Sequence, residues 1–142
     1  MPDDTLTATA AVADPAVVVR STFQAIFSGD TSPFDAHPGL EALRLHLPAL
    51  LAAFPDFSAE LRQQLVDGDR VASLWIFRGT HRGDLYGVAP TGKAVQFQNL
   101  SICRLERGRI VEYNSEVGWL SVFRQLGALP LGGTARPSRG AG

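Results

Sequence analysis

At 142 residues the chain suits a single domain that can bury a core without disulfide or metal support. Hydrophobic residues make up 45% and charged residues 19%, with a formal net charge of -1, so the concentrated basic surface that nucleic-acid binding requires is missing. A single cysteine, Cys103, excludes an internal disulfide, the dispersed histidines do not have metal-ligand spacing, and no apolar run reaches the roughly 20 residues of a membrane-spanning helix.

Pro2-Asp3-Asp4 is acidic where an export signal would be basic, which points to a cytoplasmic protein. Residues 1–13 are small and polar, and residues 128–142 are rich in Gly, Pro, Arg and Ser; both read as flexible flanks of one domain over 14–127. Asp14-Pro15 is a helix start, a capping oxygen followed by a fixed φ. Val18, Val19, Thr22, Phe23, Ile26 and Phe27 then recur at helical spacing up to Gly29. A second helix is expected over about 39–53, with Pro48 predicted to kink or split it. Strands follow at 59–66 and 71–77 around Asp67-Gly68-Asp69-Arg70, then at 95–105 and 110–118 around Glu106-Arg107-Gly108-Arg109. A short amphipathic helix, 119–126, ends at Gly127. Helices followed by antiparallel strands define an α+β class rather than a parallel α/β one.

Between the second and third strands lies Gly79-Thr80-His81-Arg82-Gly83-Asp84-Leu85-Tyr86-Gly87-Val88-Ala89-Pro90-Thr91-Gly92-Lys93. Its Gly-Thr-His, the following glycines and Pro-Thr-Gly-Lys resemble the long hairpin of the SnoaL-like polyketide cyclases. The resemblance extends to Ala53-Phe54-Pro55-Asp56, to Leu105 through Glu112, and to Gln125-Leu126-Gly127. It implies a nuclear-transport-factor-2-like fold, a conical barrel of curved antiparallel sheet around N-terminal helices. It also implies an apolar cavity, a cofactor-independent ring closure on a polyketide-like small molecule, and frequent dimerisation through the outer sheet face.

With Arg107 and Gly108 at the turn, an unbroken last hairpin sets Phe97 opposite Gly118, Asn99 opposite Glu116, Ser101 opposite Asn114 and Cys103 opposite Glu112, all on one face. The resemblance makes this the cavity face, because relatives carry an acid/base aspartate at the position of Gly118. They also carry a pocket tyrosine on the first helix, where Phe23 is the nearest match. Both proton-handling groups are thus missing here. Glu116, about 7 Å from Gly118 along the strand, is the candidate replacement acid or base, and Asn99 and Asn114 could polarise a substrate carbonyl. Their alternative role is a mutually satisfied polar network.

Ser101, His81, Trp75, Tyr86, Phe23, Trp119 and Phe54 complete the expected substrate pocket, the aromatics as walls or as ordinary core. His81 could pair with Asp84 or Glu60, or could simply organise its turn. His37 matches a histidine that closes the cavity region in relatives, and His46 reads as helix surface or rim. Leu74-Trp75-Ile76-Phe77 is apolar on both faces, and a single-layer cone covers only the inner one, so a homodimer is expected.

Overall fold

The computed structural model describes residues 14–128, so the expectations for 1–13 and for the tail beyond Ala128 fall outside the described residues. Helix α1, Pro15–Phe27, begins where the Asp14 side chain accepts the Ala16 amide at 2.9 Å and Pro15 pre-sets the first helical φ. Its buried side, Val19, Thr22, Phe23, Ile26 and Phe27, is the stripe predicted from spacing. Two short 3₁₀ turns, Ser32–Asp35 and Pro38–Leu40, lead into helix α2, Glu41–Ala53. Pro48 removes one amide donor but does not split α2.

Four strands follow, β1 (Ser58–Asp67), β2 (Arg70–Thr80), β3 (Ala94–Glu106) and β4 (Arg109–Val117), and helix α3 (Trp119–Leu126) ends at Gly127 in the left-handed conformation. Each strand pairs antiparallel with its sequence neighbours in the order β1-β2-β3-β4. The α+β class is as expected, but the sheet is open and does not close into a barrel.

Strand alternation separates the two faces. Val71, Ser73, Trp75 and Phe77 of β2, with Val95, Phe97, Asn99, Ser101, Cys103 and Leu105 of β3, are buried. Phe27 anchors α1 against this face, with ring centroids 5.4 Å from Trp75 and 5.0 Å from Phe77, both edge-on. On the opposite face Leu100 is 55% and Ile102 49% exposed.

The unbroken register expected for the last hairpin is corrected by a bulge. The turn sits at Arg107 and Gly108, both at positive φ, and Leu105 pairs with Ile110 as predicted. One step further Arg104 pairs with Glu112, so β4 carries an extra residue, Val111. From there Cys103 opposes Tyr113, Ser101 opposes Ser115, and Asn99 opposes Val117. A one-residue slip exchanges faces. Tyr113 and Ser115 therefore join Asn99 and Ser101, whereas Glu112, Asn114 and Glu116 oppose the outward Arg104, Ile102 and Leu100.

The bulge is held from outside the sheet. His37 Nδ1 accepts the Ile110 amide at 3.0 Å, and its Nε2 meets Thr22 Oγ1 at 3.3 Å. Because Nδ1 accepts, Nε2 carries the proton and donates to Thr22. Burial, aided by the nearby Arg109 charge, holds the imidazole pKa below its usual value. Gly39 lies so close behind that a Cβ there would be 2.5 Å from the Val111 carbonyl carbon.

Candidate functional site

A cavity of about 590 Å³ opens between α2, the Asp84-Leu85-Tyr86 segment and the exposed end of the sheet. Helix α2 forms one side through Leu43, His46, Leu47 and Leu50. Phe27, Phe77, Leu85, Val117 and Trp119 extend the apolar lining, and Tyr86 meets Trp119 edge-on with ring centroids 5.3 Å apart. Tyr86 is 66% exposed, as a residue at the mouth would be. Its positive φ, together with that of Gly87, forms a tight turn closed by the Leu85–Val88 bridge.

Asn99, Tyr113 and Ser115 supply polar atoms from the inner face of the sheet. Tyr113 packs against Phe23 with ring centroids 5.2 Å apart. Burial pushes its phenol pKa up. The hydroxyl is therefore protonated at neutral pH. Asn99 is 3% exposed and its Oδ1 has no hydrogen-bond partner. Ser73, Ser101 and Ser115 are successive cross-strand neighbours, making a row of hydroxyls beneath the cavity, and Ser101 Oγ is also unpartnered. Cys103 lies deeper, with its thiol pushed up to about 12 by burial, and is inert at neutral pH.

Of the sequence-derived candidates, Asn99, Tyr86, Trp119 and Glu116 border the cavity. Glu116 is exposed, and alternation turns its side chain away from the face of Ser115 and Val117. Asn114 is exposed on that outer face. Phe23, Phe54 and Trp75, each at most 1% exposed, are core members rather than lining residues. Ser101 is buried beneath the lining.

His81 is fully buried, and neither proposed carboxylate partners it. Its Nδ1 accepts the Thr91 amide at 3.1 Å and lies 3.0 Å from Thr91 Oγ1. Asp84 instead accepts the Gly87 amide, and Glu60 pairs with Arg78 at 2.9 Å and Arg62 at 3.2 Å. His37 organises the β4 bulge. His46 lines the cavity, with Nδ1 donating to the Ala42 carbonyl at 2.7 Å. Tyr113 and Ser115 are the site residues that sequence reasoning missed.

An apolar chamber under a helix, floored by a few polar groups on an antiparallel sheet, has the form of the concave pockets in which small molecules bind, on an α+β fold. The sequence profile of the SnoaL-like polyketide cyclases matches residues 26–126, and the chain belongs to that family. Among solved structures, AclR of Streptomyces galilaeus, whose hydroxylase assignment is provisional, superposes with a TM-score of 0.74 at 25% identity, covering 87% of each chain. IdmH of Streptomyces antibioticus, provisionally a polyketide cyclase, gives 0.70 at 26% identity over 80% of this chain and 99% of its own. A SnoaL-like protein of Jannaschia sp. CCS1, also provisionally a polyketide cyclase, shares the fold with a TM-score of 0.71 at 19% identity, over 82% and 93% of the two chains. No curated protein is similar enough in sequence to match. Family membership supports a cyclase-type enzymatic role. Among the described residues no helix is long and apolar enough to cross a membrane.

Proposed function

We propose that the protein closes a ring on an apolar, polyketide-like intermediate, and that the cavity acts chiefly by folding the flexible chain into a reactive conformation, as a Diels-Alder-type cycloaddition requires. The observation that carries this reading is the cavity lining: aliphatic and aromatic on most sides, with neutral Asn99, Tyr113 and Ser115 on the sheet floor. Holding two ends of one chain together supplies up to about 7 to 11 kcal/mol of the barrier in favourable intramolecular cases. A cycloaddition converts three π bonds into two σ bonds and one π bond, with no proton transferred.

The carboxylate that relatives carry at the position of Gly118 is not excluded by lack of space. Gly118 has φ -74°, and a Cβ built there meets nothing nearer than 3.6 Å. A side chain would fit, so glycine at this position is not explained by packing. A second reading is an aldol-type closure with Glu116, which borders the cavity but faces the outer side of the sheet, as acid or base.

Incubating the protein with a linear polyketide-like precursor tests the proposal. An isobaric cyclic product supports ring closure by isomerisation, with the ring structure separating a cycloaddition (a new cyclohexene) from an aldol addition (a new ring hydroxyl); loss of water indicates a dehydrative aldol closure, and binding without conversion indicates a carrier. Glu116→Gln is expected to keep turnover within about threefold, whereas a loss of about a hundredfold or more would establish proton transfer through Glu116.

The dimer is proposed on the outer face. Leu65 opposes Ala72, Ala72 opposes Ile102, and Leu74 opposes Leu100, so these side chains form one continuous apolar patch. Sedimentation at micromolar concentration should give a dimer, and Ile102→Glu, which places a charge in that patch, should give a folded monomer. A wild-type monomer at that concentration rejects the proposal.

A further inference from the structure

Tyr86 stands where the backbone disfavours a tyrosine. The Leu85 and Val88 backbones close a two-residue turn on each other at 3.0 and 2.8 Å, and φ is +47° at Tyr86 and +86° at Gly87. Asn-Gly is the favoured pair for such a turn, because a larger side chain in the left-handed region crowds the following carbonyl. The surroundings impose the conformation: the Asp84 carboxylate accepts the Gly87 amide at 3.1 Å, and the buried Leu85 roots the turn in the core. Backbone strain held in this way concentrates at ligand-binding positions.

Packing accounts for little of it. Tyr86 is 66% exposed, and its ring meets Trp119 at 86° with centroids 5.3 Å apart. Trp119 is the fixed half of this pair, since its ring also packs on the buried Phe97 at 5.6 Å. Both rings line the cavity opposite the aliphatic side chains of α2. Two rings nearly at right angles make an aromatic corner, in which a planar group packs on the face of one ring and the edge of the other. A saturated chain gains burial there but not the aromatic interaction.

We propose that Tyr86 is the specificity-determining residue of the cavity mouth, and that with Trp119 it selects a planar, unsaturated segment of the ligand. The inference rests on the cavity being the substrate site proposed above, and it assigns a conjugated π system to the part of the substrate at the mouth. The diene and the activated alkene of a cycloaddition both carry such a segment. The available surface is sufficient. Full burial of an aromatic side chain covers about 150–250 Å², and about 55 Å² of buried apolar area is worth tenfold in affinity. A ring left about two-thirds exposed retains more than that for a ligand.

Binding of β-ionone, a neutral conjugated ketone, and of tetrahydroionone, in which both carbon–carbon double bonds are reduced, is measured by calorimetry. Wild type is expected to prefer β-ionone about threefold or more. Tyr86→Asn is expected to bind β-ionone about tenfold more weakly and to lose the preference. It should nevertheless melt at or above the wild-type temperature, because asparagine accepts the left-handed backbone. Tyr86→Phe keeps the ring and should retain both affinity and preference. A wild type that binds neither probe at millimolar concentration, or binds both equally, overturns the inference. So does a Tyr86→Asn protein with affinity and preference intact, or one whose melting temperature and affinity fall together, as they would for a purely structural residue. Loss of the preference in Tyr86→Phe overturns the assignment to the ring. The probes report binding without turnover. A linear precursor that is bound but not cyclised rejects ring closure and leaves this inference standing, whereas cyclisation by a protein without the probe preference does the reverse.

Discussion

Trp75→Ala is expected to lower folding stability by about 3–5 kcal/mol, the range for removing a large aromatic from a packed core. Trp75 is 1% exposed on the inner face of β2. Its ring lies 5.4 Å from that of Phe27 at 80° and 6.3 Å from that of Phe23, joining the sheet to two successive turns of α1. Alanine would leave a void bounded by those rings and by the cross-strand neighbour Asn99. Collapse into it is restricted, because Phe27 is also held edge-on against Phe57 and Phe77. The cavity should suffer as well, since Phe27 forms part of its lining. Urea denaturation checks this as a lowered midpoint with unchanged slope. A loss under about 1 kcal/mol would mean that the site repacks freely and that α1 is not anchored through this residue. Trp75→Phe, which keeps part of the aromatic contact, should cost visibly less.

The parts of this protein that repeat simple periods were legible in the sequence. The α1 stripe follows from 3.6-residue spacing, the Arg107-Gly108 turn from its residue types, and the α+β class from the order of elements. The last hairpin was not legible to the same degree, because one extra residue has no compositional mark. Val111 is an ordinary strand residue, and its bulge is set by groups distant in sequence, the His37 imidazole and the Gly39 backbone. Yet β4 itself carried a corrective signal. Val111, Tyr113, Ser115 and Val117 are the more apolar alternating set, and Glu112, Asn114 and Glu116 the polar set, so simple in/out patterning turns Tyr113 inward. Choosing the face from Gly118 pointed the other way, because Gly118 lies beyond the strand, at the N-cap of α3. His81 shows a different limit. Its place in the hallmark hairpin is visible in sequence, but its bond to the Thr91 amide depends on how the hairpin folds back on itself.

The same hairpin yields the second large effect. Gly83→Ala is expected to destabilise the protein by about 3 kcal/mol, at the upper end of the overpacking range, and to weaken binding of an apolar ligand about tenfold. The requirement for glycine here is spatial rather than conformational. Gly83 does not have a left-handed φ, but a Cβ would lie 2.2 Å from the Ala52 carbonyl oxygen and 3.0 Å from its carbon. Both atoms belong to the last turn of α2, which cannot move aside as a side-chain tip would. The close approach has a purpose. The Arg82 and Gly83 amides both donate to the Ala53 carbonyl, at 3.0 and 3.2 Å, satisfying a helix-end acceptor that would otherwise be open. Pushing the chain away breaks that fork and displaces the next three residues, Asp84, Leu85 and Tyr86, all of which line the cavity. Stability and affinity should therefore fall together. Gly87→Asn is the control: its φ of +86° lies in the positive region that asparagine tolerates better than most residues, and nothing lies within 4 Å of an added Cβ. It should cost less than about 1 kcal/mol. Equal effects from the two substitutions, by melting and ligand titration, would reject the docking of Gly83 on α2 as the contact that sets the cavity mouth.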